Sequence, residues 1–135
     1  MADGYTGGCF CDRARYAVAG AITATRSCHC SRCRKAFNGS GSAVGWLAPG
    51  QFTWREGEED ITYHTNMEGV ATGFCRHCGS TLVITNQGAV VAITLGTLDA
   101  DATGITLRDH IFVDSRACWD EIGGDTPQYA EYPPE

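Results

Sequence analysis

The sequence predicts an all-β domain built mainly from antiparallel sheets, with only a few short helices. Three observations lead to this prediction. The 135 residues include 17 glycines, the β-branched and aromatic residues fall in short runs, and turn-forming residues separate those runs. The strands expected from these runs cover residues 14–22, 42–47, 52–54, 61–64, 71–74, 81–85, 90–95 and 110–113.

The connections between these strands are predicted from their turn chemistry. Asn86-Gln87-Gly88 separates two expected strands and predicts a hairpin turn. Residues 38–41 and 56–60, rich in glycine or acidic side chains, are expected to be loops. Short helical turns are expected at 31–36 and 117–122.

Length and composition indicate one globular domain, assigned to residues 1–124, followed by a peripheral tail at 125–135 that contains three prolines. No apolar run reaches 18 residues, and the N-terminus has neither a basic leader nor an apolar core. A cytoplasmic location without membrane attachment is therefore expected. Cytosolic thiols stay reduced, which favours metal binding over disulfides for the eight cysteines.

The charge is distributed unevenly along the chain. The net charge is −6, yet residues 13–55 contain seven basic and no acidic residues. Such a basic segment could attract an anionic small molecule or a nucleic acid, unless folding brings acidic residues beside it. An acidic chain is a poor general nucleic-acid binder, so nucleic acid is not expected as a partner.

Seven cysteines form three groups of two, three and two. Thiolates are preferred zinc ligands, and a structural zinc site takes four of them. The knuckle Cys75-Arg76-His77-Cys78 ends in Gly79, which suits a tight turn with positive φ. We expect it to combine with Cys9 and Cys11 in a structural site, so that metal binding contributes to folding.

The central group, Cys28, Cys30 and Cys33, supplies only three thiols. Candidate fourth ligands are His29, His77 and Cys118, although each histidine sits between two cysteines where its side chain usually points away. By elimination, we expect a second zinc with one position open to water or substrate. Three thiolates suit thiol activation better than hydrolysis, and Arg34 and Lys35 nearby could bind a substrate carboxylate.

The cysteine motifs also have distinctive flanks: Gly7-Gly8-Cys9-Phe10-Cys11 with Arg15-Tyr16 after it, Cys28-His29-Cys30-Ser31-Arg32-Cys33-Arg34-Lys35, Phe74-Cys75-Arg76-His77-Cys78-Gly79-Ser80-Thr81-Leu82, and His110-Ile111-Phe112-Val113 followed by Trp119. In this order they resemble the glutathione-dependent formaldehyde-activating enzyme family, which includes centromere protein V. The resemblance implies an Mss4-like fold.

The resemblance also implies roles for the ligands. It assigns a structural zinc to the first and last cysteine pairs and a catalytic zinc to the central three. The family's namesake reaction condenses formaldehyde with glutathione to S-(hydroxymethyl)glutathione and is classed as a carbon–sulfur lyase reaction. Two residues depart from the family pattern: Asp12 stands where glycine is usual, and Cys118 stands where proline is common.

The leading hypothesis is therefore an enzyme with two zinc ions per chain that acts on an adduct of a thiol, such as glutathione, and a small aldehyde. The alternative is a non-catalytic zinc module that binds a protein or nucleic acid through the basic segment 26–35. A weaker alternative is a redox or metal-buffering role for the central thiols.

Overall fold

Residues 4–134 are described by the computed structural model, and they form two β-sheets. The strands are β1 Gly4–Gly8, β2 Arg15–Ala19, β3 Ala24–Cys28, β4 Ser42–Trp46, β5 Phe52–Glu56, β6 Ile61–Met67, β7 Val70–Cys75, β8 Thr81–Asn86, β9 Ala89–Thr94 and β10 Asp109–Ile111. One α-helix, α1 Ser31–Phe37, follows β3, and 3-10 turns cover Glu58–Asp60, Leu95–Thr97 and Val113–Ser115.

The smaller sheet has the order β1-β2-β5, and the larger has the order β10-β3-β4-β9-β8-β7-β6. Neighbouring strands pair antiparallel except β10 and β3, which are parallel. The predicted all-β class with mainly antiparallel sheets is confirmed. The hairpin predicted at Asn86-Gln87-Gly88 is confirmed as well, because it joins β8 to β9.

Two strands and one turn differ from the sequence prediction. β1 and β3 were not predicted, because their sequences GYTGG and ATRSC lack apolar runs. The helical turn predicted at 117–122 is wrong: the nearest 3-10 turn, Val113–Ser115, lies earlier in the chain, and only an isolated turn occurs at 118–119. The helical turn predicted at 31–36 is confirmed as α1.

The core contains side chains from both sheets. Tyr16 and Val18 of β2 are buried together with Leu82, Val83 and Ile93 of the larger sheet. In β2 every second side chain is buried, because successive side chains of a strand point to opposite faces. In β8 the adjacent Leu82 and Val83 are both buried. Burial also raises the pKa of Tyr16 to about 12, and its hydroxyl hydrogen bonds with Thr97 Oγ1 at 2.9 Å.

The larger sheet curls so that α1 approaches its far side. Four strands separate β3 from β6 in the sheet, yet Arg32 of α1 donates a hydrogen bond to the Asn66 carbonyl of β6 at 3.4 Å. A flat sheet would place these strands about five spacings of 4.8 Å apart, well beyond the reach of one arginine.

The C-terminal segment lies along β10. The His110 N–H donates to the Pro127 carbonyl at 2.9 Å, and the Tyr129 N–H donates to the His110 carbonyl at 2.9 Å. The Tyr132 and Phe112 rings pack edge to face, with their centroids 5.1 Å apart. Among the described residues, no helix combines the length and apolar character needed to cross a bilayer.

Candidate metal centres

The first and last cysteine pairs meet as the spacing predicted. Cys9 and Cys11 lie in the turn between β1 and β2, while Cys75 ends β7 and Cys78 precedes β8. All four Sγ atoms lie within 4.8 Å of one another. The Cys9–Cys11 and Cys11–Cys75 Sγ separations are 3.6 and 3.8 Å. A tetrahedral ion with metal–sulfur bonds of about 2.3 Å has an edge of about 3.8 Å, so this donor set fits a metal ion.

Two turns in the left-handed region shape this four-cysteine cluster. Gly79 has φ of 81°, as predicted, and its N–H donates to the Cys75 carbonyl at 2.8 Å. Asp12 has φ of 64°, and its N–H donates to the Cys9 carbonyl at 3.1 Å. A left-handed conformation favours glycine, which explains the residue usually found at position 12 in the family that the chain resembles.

Side chains beside the four-cysteine cluster stabilise the knuckle from Cys75 to Cys78. Asp60 Oδ1 accepts hydrogen bonds from Arg76 Nη2 and His77 Nε2, both at 3.0 Å. The His77 bond lowers the pKa of Asp60 most, followed by the Arg76 bond. His77 is therefore turned to Asp60 and does not join the cysteines as a ligand.

The thiols of this cluster differ in acidity. Burial raises the pKa of Cys75 to about 11. Burial opposes ionisation of Cys78 too, but hydrogen bonds to the hydroxyl and backbone of Ser80 lower its pKa to about 6. Neighbouring thiols ionise together only where a cation compensates their negative charge. Metal sites supply such a cation.

The three central cysteines also converge. Cys28 ends β3, Cys30 caps the N-terminus of α1, and Cys33 lies in its first turn. Their Sγ atoms lie within 4.8 Å of one another, and Cys30 Sγ accepts from the Cys33 N–H at 3.4 Å. Gly41 passes so close to the Cys28 carbonyl that a Cβ there would collide with it. This three-cysteine cluster could therefore hold a second metal ion.

The candidate fourth ligands lie elsewhere. Cys118 is exposed and belongs to neither cluster. The buried His29 faces away from the sulfurs, and its Nε2 hydrogen bonds with His110 Nδ1 at 2.9 Å. Within residues 4–134, the three-cysteine cluster thus has three protein donors and no fourth.

Hydrogen bonds within the cluster make its thiols unequal. The Cys28 thiol stabilises the Cys33 thiolate and lowers the pKa of Cys33 to about 5, and Ser42, Cys30 and Arg32 act in the same direction. The same interaction raises the pKa of Cys28 above its ordinary value. The Cys33 thiolate is therefore available near neutral pH, whereas Cys28 needs a cation to ionise.

The two basic residues predicted to bind substrate differ in placement. Lys35 is exposed on α1, whereas the Arg34 guanidinium is half-buried and donates from Nη2 to the Ser115 carbonyl at 3.3 Å. Two surface hollows occur elsewhere, one against β1, β2 and β5 and one beside Cys9 and Phe10. Neither hollow is lined by the three-cysteine cluster.

One polar group near the three-cysteine cluster was missed by sequence reasoning. Asp120 Oδ2 lies 3.6 Å from Nδ1 of His29, on the side opposite His110. The three residues are far apart in the chain, so no local pattern could have indicated their contact.

The comparisons with known proteins agree with this architecture. Residues 4–115 match the family model described as glutathione-dependent formaldehyde-activating enzyme. The crystal structure of a Rhodobacter sphaeroides protein aligns with a TM-score of 0.55 and 22% sequence identity, covering 72% of this chain and 90% of that chain. At this identity the likeness shows a shared fold. A comparison with curated proteins found no match.

Proposed function

Because this chain belongs to the glutathione-dependent formaldehyde-activating enzyme family, we propose that it is a zinc-dependent enzyme of the carbon–sulfur lyase type. Family membership supports glutathione-dependent formaldehyde activation in general. The proposed reaction adds a thiol to a small aldehyde, as in the formation of S-(hydroxymethyl)glutathione. In this addition the S–H bond and the C=O π bond break, sulfur bonds to the carbonyl carbon, and the oxygen gains a proton in place of the one that the thiol loses.

The observation that carries the proposal is the difference in donor number between the clusters. We assign Cys9, Cys11, Cys75 and Cys78 to a structural zinc, and Cys28, Cys30 and Cys33 to a zinc with room for a substrate atom. A zinc ion held there would supply Lewis acidity and would favour the thiolate form of a substrate thiol. The exposed Cys118 does not fill the fourth position.

The chain's own residues then have distinct tasks. Glutathione carries carboxylates, and the exposed Lys35 is free to bind one by charge pairing. Arg34 is the weaker candidate, since its guanidinium already donates to the Ser115 carbonyl. Arg32 adds positive charge beside Cys33 and stabilises its thiolate. Free thiols in both clusters suit a reducing compartment such as the cytoplasm, where we place the protein.

The proposal is tested by metal analysis followed by exchange NMR of formaldehyde with glutathione. We expect two zinc ions per chain and faster exchange with the protein than without it. Cys30→Ala should remove one zinc and the rate enhancement while the β-sheet circular dichroism spectrum is retained. Cys118→Ala is the matched control, because it removes a thiol outside both clusters, and it should behave as the wild type. Exchange that the wild-type protein does not accelerate would exclude the namesake reaction.

The structure gives less support to the non-catalytic alternative, binding of a protein or nucleic acid through residues 26–35. In that segment Arg26 forms an ion pair with Asp109 at 2.8 Å, and Arg34 is half-buried. Two of its basic groups are therefore already engaged. Salt-dependent binding of nucleic acid by an inactive protein would favour this alternative.

A further inference from the structure

A chain of three polar side chains lies behind the three-cysteine cluster. His29 Nε2 hydrogen bonds with His110 Nδ1 at 2.9 Å, and His29 Nδ1 lies 3.6 Å from Asp120 Oδ2. His29 is 3% exposed. Neither His29 Nδ1 nor Asp120 Oδ2 has a hydrogen-bond partner among the described residues. Buried polar atoms without partners are costly, so this pair needs a reason to be there.

We propose that His29, held by His110 and Asp120, is the positioning residue of the three-cysteine cluster. The inference rests on the proposed metal assignment for Cys28, Cys30 and Cys33. It goes beyond that assignment by naming the residues that orient the ligands.

His29 can orient the cysteines because side chains alternate between two faces along extended backbone. Cys28 ends a strand, and Cys30 has extended dihedral angles of −68° and 159°. His29 lies between them, so burial of its ring on one face directs both neighbouring thiols to the other face. The His29 N–H also donates to the Ile111 carbonyl at 3.0 Å, which holds the backbone at the same point.

The Asp120 carboxylate favours one tautomer of His29. A carboxylate only accepts, so a proton on His29 Nδ1 faces Asp120 Oδ2 favourably across 3.6 Å, although this distance is longer than a hydrogen bond. With the proton on Nδ1, His29 Nε2 accepts from the Nδ1–H of His110. The His29 ring then cannot rotate without losing this hydrogen bond.

Asp120 reaches His29 from the C-terminal segment, which also contacts α1. The carbonyl of Ser115, five residues before Asp120, accepts from Arg34. Backbone hydrogen bonds join His110 to Pro127 and Tyr129 in the same segment. The segment therefore contacts two neighbours of the three-cysteine cluster, Arg34 of the helix that contains Cys33 and His29 between Cys28 and Cys30.

The four-cysteine cluster offers a matched counterpart. His77 also lies between two cysteines and contacts an aspartate, Asp60, at 3.0 Å. However, its side chain is 33% exposed, and Asp60 keeps Arg76 as a second partner. The same substitution at Asp60 should therefore have a smaller effect on metal binding than at Asp120.

The test compares Asp120→Asn with Asp60→Asn in the zinc-loaded protein. Zinc release to a chromogenic chelator is measured, and the phase that disappears in Cys30→Ala identifies the three-cysteine cluster. We expect Asp120→Asn to weaken zinc binding in that phase about 10-fold, the lower end of the range seen when a partner that supports a metal ligand directly is lost. The other phase should be unchanged, and Asp60→Asn should leave the three-cysteine phase unchanged.

Nitrogen-15 NMR of the imidazoles reports which ring nitrogen carries the proton, and a general loss of stability would not change this. The wild type should show His29 protonated at Nδ1, and Asp120→Asn should alter that signature while the protein remains folded. Unchanged zinc affinity in Asp120→Asn, or equal weakening of both phases, would overturn the inference and leave the proposed function intact. Absence of a phase sensitive to Cys30→Ala would instead remove the metal assignment itself.

Discussion

The two cysteine clusters differ in how far apart their ligands lie in the chain. In the four-cysteine cluster, Cys11 and Cys75 are 64 residues apart, and Cys11 lies in a turn of the smaller sheet whereas Cys75 ends a strand of the larger one. In the three-cysteine cluster, all ligands lie between Cys28 and Cys33. Closing a loop of about 60 residues removes about 4 kcal/mol of chain entropy, against about 2 kcal/mol for a loop of five.

Clusters with the same donor atoms can therefore have different roles. An ion shared by two sheets stabilises the fold, because the unfolded chain cannot gather its ligands cheaply. An ion bound by one short segment adds little to the stability of the fold, and it remains accessible to a substrate. Burial agrees with this division, since Cys9 and Cys75 are buried whereas the three central cysteines are only half-buried.

The largest expected effect comes from Cys75→Ser. Structural zinc sites contribute about 10–16 kcal/mol in small domains, which exceeds the usual net stability of about 5–15 kcal/mol. We therefore expect this variant to lack a cooperative unfolding transition in circular dichroism. Cys30→Ala should keep a cooperative transition. If both variants melt alike, the contrast between the clusters is wrong.

A smaller effect is expected from the ion pairs that flank the two clusters. Arg26 and Asp109 join β3 to β10 through two hydrogen bonds of 2.8 and 3.0 Å. Asp109 is 4% exposed, and the bond with Arg26 is the main reason that its pKa lies below the ordinary value. Asp109→Asn should cost about 3 kcal/mol at pH 7, measured by urea denaturation, since it leaves a half-buried arginine unpaired.

The pH dependence follows from the depressed pKa. The stabilisation from the Arg26–Asp109 pair is complete above the pKa of about 3.9 that an aspartate has in the unfolded chain. It is lost as the pH falls through the lower pKa of Asp109 in the folded protein. The difference in unfolding free energy between wild type and Asp109→Asn should therefore shrink below about pH 4.

Asp99→Asn is the matched change beside the four-cysteine cluster. The Arg15–Asp99 pair is about 30% exposed, so its loss should cost about 1 kcal/mol.

The smallest expected effect concerns backbone strain. Asp12 beside the four-cysteine cluster and Asn38 at the end of α1 both have positive φ, 64° and 59°. Asp12→Gly and Asn38→Gly should each raise stability by less than about 1 kcal/mol, because relief of strain is offset by the unfolded entropy of glycine. Thermal unfolding measures both. A clear loss in Asp12→Gly would indicate that its carboxylate, 3.8 Å from Arg15, matters more than its backbone.

Much of the fold and both clusters could be predicted because their signals are local. Short apolar runs marked β4 to β10, and the spacing of cysteines grouped the metal-binding candidates. β1 and β3 escaped because glycine-rich and polar strands are specified by their neighbours rather than by propensity. β3 in particular is held by pairing with β4 and by the Arg26–Asp109 ion pair.

The support of the three-cysteine cluster could not be predicted, for a physical reason. His29 and His110 are 81 residues apart, and nothing in the sequence near either residue specifies the other. Asp120 lies where a helical turn was expected, but only an isolated turn occurs at 118–119, and the Asp120 carboxylate lies 3.6 Å from His29. Long-range polar contacts of this kind depend on the sheet order, which the sequence did not reveal.

The parallel pairing of β3 with β10 also has a consequence for biosynthesis. β3, which contains Arg26, can pair with β10 only after Asp109, 83 residues later, has been synthesised. Cys28, Cys30 and Cys33 emerge long before His110 and Asp120, which we propose support their cluster. An ion captured early by the nascent chain would therefore be held loosely, and it would be secured only after His110 and Asp120 have been synthesised.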